Sequence, residues 1–130
     1  MEKIYLDHVS CTPTHHSVIE AMVDSIKNCY GNPSNLHHFG QTANKIVQTA
    51  RDEVASLIGA KAEEIIFTSS GSEANNFAIK GLTMANQKKG KHIITSEIEH
   101  FSILNPLKRI EKTGFEVTRI PVDKYGMIDP

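Results

Sequence analysis

Apolar residues in the first half of the chain recur at the spacing of a helix. Between residues 16 and 27 they stand at Val18, Ala21, Met22 and Ile26, which places them on one face of a helix. The GNPS sequence at residues 31–34 then favours a turn. A longer stripe follows, made of Ala43, Ile46, Val47, Ala50, Val54, Leu57 and Ile58. We predict helices near residues 16–27 and 43–58, the second ended by Gly59, after a short extended segment at residues 3–7.

Short apolar runs alternate with helical patterns in the second half. Residues 64–68, 92–95 and 115–120 are predicted to be strands because they are rich in Ile, Val, Phe and Thr. Helices are predicted at residues 73–87 and 102–112; we expect Pro106 to restrict where the second begins and Gly114 to close it. Strands that alternate with helices are typical of a parallel sheet with crossover helices. The predicted fold class is therefore α/β, preceded by an N-terminal helical segment.

The last three residues form a helix-start signal. Asp129 suits the N-cap position, and Pro130 suits the first position of a helix. Since no helix follows in the sequence, the chain is expected to be a truncated part of a longer protein. A frayed terminal tail is the alternative.

Composition narrows the range of partners and settings. The chain has 130 residues, 39% of them hydrophobic and 22% charged, with a formal net charge of −1. Because there is no basic block, nucleic acid and anionic membrane surfaces are poor candidate partners. No apolar run has the length to cross a bilayer, and the first residues do not resemble a secretory signal. The expected setting is the cytoplasm.

Cysteine and histidine spacing argues against a disulfide framework and against a metal site. The two cysteines, Cys11 and Cys29, have no CxxC spacing, and both are expected to be small buried apolar residues. The seven histidines include two adjacent pairs, at residues 15–16 and 37–38. Neighbouring side chains point in different directions on a helix or a strand, so neither pair can present two nitrogens to one metal.

The sequence FTSSGSE at residues 67–73 is the strongest local signal for chemistry. It lies between a predicted strand and a predicted helix, and the free N–H groups at a helix N-terminus bind phosphate. Gly71 would let an anion approach the backbone, and the Ser72 hydroxyl can donate a hydrogen bond. The alternative is a capping box in which Ser70 and Glu73 satisfy the same N–H groups. Residues 67–73 alone leave both interpretations open.

Four separated motifs resemble the cysteine desulfurases of the NifS/IscS type. They are YLD at residues 5–7 with Thr12 and Pro13; GNPS at residues 31–34 with His37 and Gly40; residues 67–73 with Asn76; and Glu99 with His100. The resemblance covers nearly the whole chain, and the motifs occur in the family's order. It implies the start of the large domain of a fold-type I enzyme that depends on pyridoxal 5'-phosphate. Residues 1–60 would form the N-terminal segment and helices, and residues 61–130 the first part of the cofactor-binding domain.

The resemblance also implies roles for three residues. Gly71 and Ser72 take the positions that hold the cofactor phosphate. His100 takes the position that stacks on the pyridine ring, and the family credits this histidine with proton transfers, which suits a flat side chain that titrates near neutrality. The alternative for His100 is a hydrogen-bonded histidine without a catalytic role.

The implied reaction removes sulfur from L-cysteine and leaves alanine and an enzyme persulfide. An iron–sulfur scaffold or another acceptor would take the sulfur, and the full-length enzyme would be a homodimer. Residues 31–40 are expected to make contact across the subunit interface or with the rim of the active site. The residues after Asp7 depart from the family's usual run of small residues and threonines, which affects the substrate end of the site.

The residues that perform the family's chemistry are expected beyond residue 130. They are the Schiff-base lysine, the acidic partner of the pyridine nitrogen and the acceptor cysteine; neither Lys80 nor Lys91 lies in the matching motif. We therefore expect no desulfurase activity from this polypeptide alone. The alternatives are a selenocysteine lyase or another class-V aminotransferase-like enzyme, a non-catalytic accessory or split subunit, and a phosphate- or nucleotide-binding α/β domain. The chain lacks the GxGxxG and GxxxxGK[ST] motifs that the last of these usually contains.

Overall fold

The computed structural model describes residues 3–129, which form four α-helices and two strands. The helices are α1 (His16–Asn28), α2 (His38–Ile58), α3 (Gly71–Asn86) and α4 (Phe101–Glu111), and the strands are β1 (His92–Ser96) and β2 (Glu116–Ile120). A short 3-10 helix spans Ala62–Glu64. The chain divides into two compact units between Ile66 and Phe67. The assignment of residues 1–60 and 61–130 to two segments of a larger domain stays a prediction.

The first unit is built on the two predicted helices. Helix α1 agrees with its prediction to within one residue. Helix α2 begins five residues earlier than the apolar stripe indicates, because the His37 imidazole accepts a hydrogen bond from the Gly40 N–H and so caps the helix start. It ends as predicted at Gly59, whose φ of 68° is left-handed.

The second unit contains a parallel strand pair joined by a crossover helix. Strands β1 and β2 pair in parallel, with His92 opposite Glu116 and Ser96 opposite Ile120, and α4 connects them. The core is formed by Leu107, Ile110 and Phe115, and the partly buried Ile79, Ile93, Ile103 and Val117 pack against it. Helix α3 packs on α4. The predicted α/β class and the predicted strands near residues 92–95 and 115–120 are confirmed.

The predicted strand at residues 64–68 is wrong. Glu64 belongs to the 3-10 helix, where its carboxylate accepts a hydrogen bond of 2.8 Å from the Lys61 N–H. Ile65 is extended and buried, but Ile66 and Phe67 are 59% and 49% exposed. Extended backbone becomes a strand only beside a neighbour that supplies donors and acceptors. Within residues 3–129 no neighbouring strand pairs with this segment.

Pro106 does not restrict the start of α4: the helix begins at Phe101, and Pro106 is a buried residue at its sixth position. The His100 side chain caps the helix, so the start does not depend on proline.

The helix-start signal at residues 129–130 includes Pro130, which lies outside the described residues. Before it, the Asp123 carboxylate accepts hydrogen bonds from the N–H groups of Tyr125 and Met127, which forms a tight turn.

Among residues 3–129, no helix combines the length and the apolar character needed to cross a membrane.

Candidate functional site

The turn that opens α3 is capped by a serine side chain. Ser70 is extended, with φ −165° and ψ 162°, and its hydroxyl oxygen accepts a hydrogen bond of 3.2 Å from the Glu73 N–H. Its carbonyl accepts from the Ala74 N–H at 3.0 Å. Serine is a preferred N-cap residue because its oxygen replaces a missing backbone acceptor. The serine half of the predicted capping box is therefore present.

The Glu73 carboxylate is directed to Ser69. It accepts hydrogen bonds from the Ser69 N–H at 2.6 Å and from the Ser69 hydroxyl at 2.8 Å. These bonds stabilise the charged form and hold the pKa of Glu73 below its ordinary value. Because the carboxylate bonds to Ser69, it does not occupy the first N–H groups of the helix.

The N–H groups of Gly71 and Ser72 are unused among the described residues. Within residues 3–129, neither group donates to a protein acceptor. Both residues are exposed, and a Cβ added at Gly71 would meet nothing within 4 Å. Open space and two unused donors at a helix N-terminus are the features that anion binding requires. The Ser70 cap and a bound anion are therefore compatible here, since Ser70 accepts from the third N–H of the helix and an anion would use the first two.

His100 lies at the start of the neighbouring helix. It is the N-cap of α4, and its Nδ1 accepts a hydrogen bond of 3.1 Å from the Ser102 N–H. The loop before it is fixed by the buried Ser96, whose hydroxyl donates to the Glu99 carboxylate at 2.9 Å, and by a bond from the Glu97 N–H to the carbonyl of Ile120. These bonds restrict the loop and therefore the position of the His100 ring.

Ser72 and His100 line the same cleft. The cleft has a volume of about 340 Å³ and is lined by Ser72, Asn76, Lys80, His100, Phe101, Ser102, Asn105, Pro106 and Arg109. That volume falls at the small end of the range for ligand pockets, about 300–1,000 Å³. Gly71 is next to Ser72 in the chain but does not itself line the cleft. The structure thus brings together the predicted hydroxyl and the predicted ring.

Several lining residues were not predicted from the sequence. Ser72, Asn76 and Lys80 are four residues apart on α3, and Phe101, Asn105 and Arg109 are four residues apart on α4. Residues four apart share a helix face, so these two stripes could have indicated a polar groove. The positions of Lys80, Asn105 and Arg109 on the cleft were not predicted, because the helix predictions used the apolar positions alone.

The GNPS segment forms a tightly packed loop ahead of α2. The Asn32 carboxamide accepts from the Ser34 N–H at 2.9 Å, and the Asn32 carbonyl accepts from the Asn35 N–H at 3.0 Å. A Cβ on Gly40 would lie 2.3 Å from the carbonyl oxygen of Asn35. Gly40 is therefore required by backbone packing in this unit. A contact of residues 31–40 with a partner subunit stays a prediction.

The cysteines depart from expectation. Cys11 is exposed and Cys29 is half-buried, and both are free thiols. Burial was therefore a wrong prediction for Cys11, whose segment before α1 packs on no apolar cluster of the described residues. No group of three or more His, Cys, Asp or Glu side chains that could hold a metal ion occurs in residues 3–129.

Comparison with known proteins identifies the family. Residues 4–130 match the family described as aminotransferase class-V. The chain is 50% identical over 128 residues to a cysteine desulfurase IscS of Dictyoglomus turgidum, which covers 98% of this chain and 32% of the relative. A cysteine desulfurase IscS of Methanosarcina thermophila is 46% identical over 127 residues, 98% of this chain and 31% of the relative. The chain therefore spans about a third of the length of these relatives.

A solved structure supports the fold. A NifS-like protein superimposes with a TM-score of 0.86 at 34% identity, over 92% of this chain and 33% of that protein. This likeness confirms the predicted fold, the N-terminal portion of a fold-type I domain. A second structure, titled SspA in complex with cysteine, has a TM-score of 0.81 at 37% identity over 91% of this chain and 34% of that one. The chain belongs to the class-V aminotransferase family, and the proteins it resembles include two named cysteine desulfurase IscS and one titled as a NifS-like protein.

Proposed function

We propose that this chain supplies the phosphate and ring contacts for pyridoxal 5'-phosphate in a cysteine desulfurase. The observation that carries the proposal is the pair of unused N–H groups at Gly71 and Ser72, beside a cleft lined by Ser72 and His100. A helix N-terminus favours a phosphate dianion through its donors and its dipole. The Ser72 hydroxyl, which also has no partner within residues 3–129, would add a third donor.

His100 is proposed as the flat surface for the pyridine ring. An imidazole that caps a helix and lines a cleft is held in place, and an aromatic contact contributes about 0.5–1.5 kcal/mol beyond area burial. When bound, the cofactor would supply an electron sink for bond changes at the substrate carbons. The residues of the cleft would bind and orient it.

The proposed reaction breaks the carbon–sulfur bond of L-cysteine. The sulfur joins an enzyme thiol as a persulfide, and the carbon takes a proton to give alanine. Support comes from the likeness to proteins named cysteine desulfurase and to a structure titled as a complex with cysteine. Delivery of the sulfur to an iron–sulfur scaffold and a homodimeric enzyme belong to the same proposal and rest on the resemblance of the four motifs.

No lysine of this chain lies in the family's Schiff-base motif. We therefore propose that the chain by itself binds the cofactor without a covalent bond and does not release sulfide from cysteine. Alanine and sulfide production by the purified 130-residue chain would contradict this part of the proposal.

Titration of the chain with pyridoxal 5'-phosphate, followed by equilibrium dialysis, tests the cofactor site. We expect saturable binding. Borohydride, which reduces a Schiff base to a stable bond, should not attach the cofactor to a single lysine. Ser72→Ala should raise the Kd by about tenfold, because a hydrogen bond to a charged group contributes on the order of 1.5 kcal/mol. Ser56→Ala, which removes an exposed hydroxyl from α2, is the matched control and should leave the Kd unchanged. Absence of saturable binding, or equal effects of the two substitutions, would refute the proposal.

A further inference from the structure

Three of the four α-helices in the described residues begin at a histidine side chain. The Nδ1 atoms of His15, His37 and His100 accept hydrogen bonds from backbone N–H groups at 3.4, 3.3 and 3.1 Å. Histidine is not among the usual N-cap residues. An imidazole nitrogen that accepts a hydrogen bond carries no proton, so each cap also specifies where the ring's proton lies.

His100 differs from the other two in what surrounds its second nitrogen. The Nε2 of His37 is 3.2 Å from the Asn35 amide, and the ring of His15 lies 4.2 Å from that of His16. The Nε2 of His100 has no hydrogen-bond partner in the part of the chain that the structure describes, and its ring lines the cleft. Of these three described rings, only that of His100 therefore combines a fixed Nδ1 with an Nε2 that a ligand in this cleft could use.

A second hydrogen bond reinforces the His100 cap. The Ser102 hydroxyl lies 2.8 Å from Nδ1 of His100, and the Asn75 amide nitrogen donates to that hydroxyl at 2.8 Å. Asn75 is on α3 and Ser102 is on α4, so this bond links the two helices whose N-terminal residues line the cleft.

The direction of these bonds follows from their donors. Since Nδ1 accepts from the Ser102 N–H, the Ser102 hydroxyl must also donate to Nδ1, and its oxygen then accepts from Asn75. A neutral imidazole whose Nδ1 accepts two hydrogen bonds carries its proton on Nε2. Asn75 and Ser102 are both partly buried, which limits competition from water.

We propose that Asn75 and Ser102 are positioning residues that hold His100 as its Nε2–H tautomer. A ligand in the cleft then meets a hydrogen-bond donor at Nε2, while the Nδ1 lone pair is held by the N–H and the hydroxyl of Ser102. The tautomer is a property of the chain itself; its use in orienting pyridoxal 5'-phosphate rests on the proposed function.

The test measures the tautomer of His100 directly. Long-range ¹H–¹⁵N spectra of the ligand-free full chain, labelled at histidine and recorded at about pH 8, where ordinary imidazoles are neutral, distinguish the two protonated nitrogens. His100→Asn identifies the signal. We expect an Nε2–H pattern in the wild type, a shift of about fivefold in the tautomer ratio toward Nδ1–H in Ser102→Ala, a smaller shift in the same direction in Asn75→Ala, and restoration in Ser102→Thr.

The chain offers a matched control at α1. Ser17 contacts Nδ1 of His15 at 2.8 Å as Ser102 contacts His100, but no asparagine of the described residues supports it. Ser17→Ala should leave the His100 signal unchanged. An Nδ1–H pattern in the wild type overturns the inference even if a variant fails to fold, as does an unchanged ratio in folded Ser102→Ala. The spectra are recorded without cofactor, so a failure of the cofactor proposal would not change the tautomer result. An Nδ1–H pattern, in turn, would refute the tautomer assignment without refuting cofactor binding.

Discussion

Glu73 is the residue that keeps the α3 N-terminus open while stabilising it. Its carboxylate bonds to the backbone and hydroxyl of Ser69, one residue before the N-cap, rather than to the first turn of the helix. Sequence reasoning could state that Ser70, Glu73 and a phosphate compete for the same N–H groups. It could not decide the outcome, because the difference between Ser69 and Ser70 as the carboxylate's partner depends on backbone angles at the turn.

Glu73→Gln should remove part of the acid sensitivity of the second unit. The pKa of Glu73 in the folded chain is below its ordinary value of 4.5 because of the Ser69 hydrogen bonds. A lowered pKa in the folded state means that the contribution of Glu73 to the free energy of unfolding is fully present above pH 4.5 and is lost as the pH falls through the folded-state value. Urea unfolding at several pH values should show the wild type losing its advantage over the variant below that pH.

The control for this experiment is Glu116→Gln. Glu116 is exposed on β2, and its side chain makes no hydrogen bond within residues 3–129. If the wild type kept the same advantage over Glu73→Gln at every pH, the bonds to Ser69 would not be the source of the effect.

Helix bodies and helix ends followed from the sequence, as did the start of α1, whereas the start of α2 lies five residues before its apolar stripe. Apolar stripes located the bodies of α1 and α2, and Gly59 and Gly114 adopt the positive φ expected of helix-ending glycines. The starts depend on single side-chain caps, and His37 and His100 are unusual ones. The predicted strand at residues 64–68 failed for a different reason, since strand formation depends on a neighbour that local sequence does not reveal.

Gly40→Ala and Gly81→Ala should have opposite effects on stability. A Cβ at Gly40 would lie 2.3 Å from one carbonyl oxygen and 2.7 Å from another, so backbone must move; we expect a loss of about 1–3 kcal/mol in the free energy of unfolding. A Cβ at Gly81, inside α3, meets nothing within 4 Å, and the helix should gain about 1 kcal/mol. Urea unfolding of the two variants, each followed in its own unit, checks this. A neutral Gly40→Ala would contradict the tight loop that precedes α2.

At the scale of the whole molecule, apolar surface is distributed unevenly. Helix α4 buries Pro106, Leu107 and Ile110, whereas α1 has no buried residue, and its apolar side chains Val18, Ile19, Met22, Val23 and Ile26 are 43–73% exposed. Exposed apolar faces of this kind are usually covered by other parts of a protein. The exposure agrees with a chain that spans about a third of the length of its relatives.

Two residues of the cleft could be predicted from the sequence, whereas the hydrogen bonds around His100 could not. Motif resemblance selected Ser72 and His100, and the packing of α3 on α4 places both on one cleft. The hydrogen bonds of Asn75 and Ser102 could not be predicted, because they join residues 27 positions apart across two helices. Such contacts depend on how the helices pack, which local patterns do not specify.

The cofactor phosphate should act at two backbone amides, and their chemical shifts report it most directly. Residue-resolved ¹H–¹⁵N spectra of the chain can be followed during titration with pyridoxal 5'-phosphate and, separately, with pyridoxal, which has no phosphate. The expected result is a saturable downfield shift of the Gly71 and Ser72 amide signals with the phosphorylated compound alone. Equal shifts with both compounds, or shifts that leave Gly71 and Ser72 unchanged, would contradict an anion site at the start of α3.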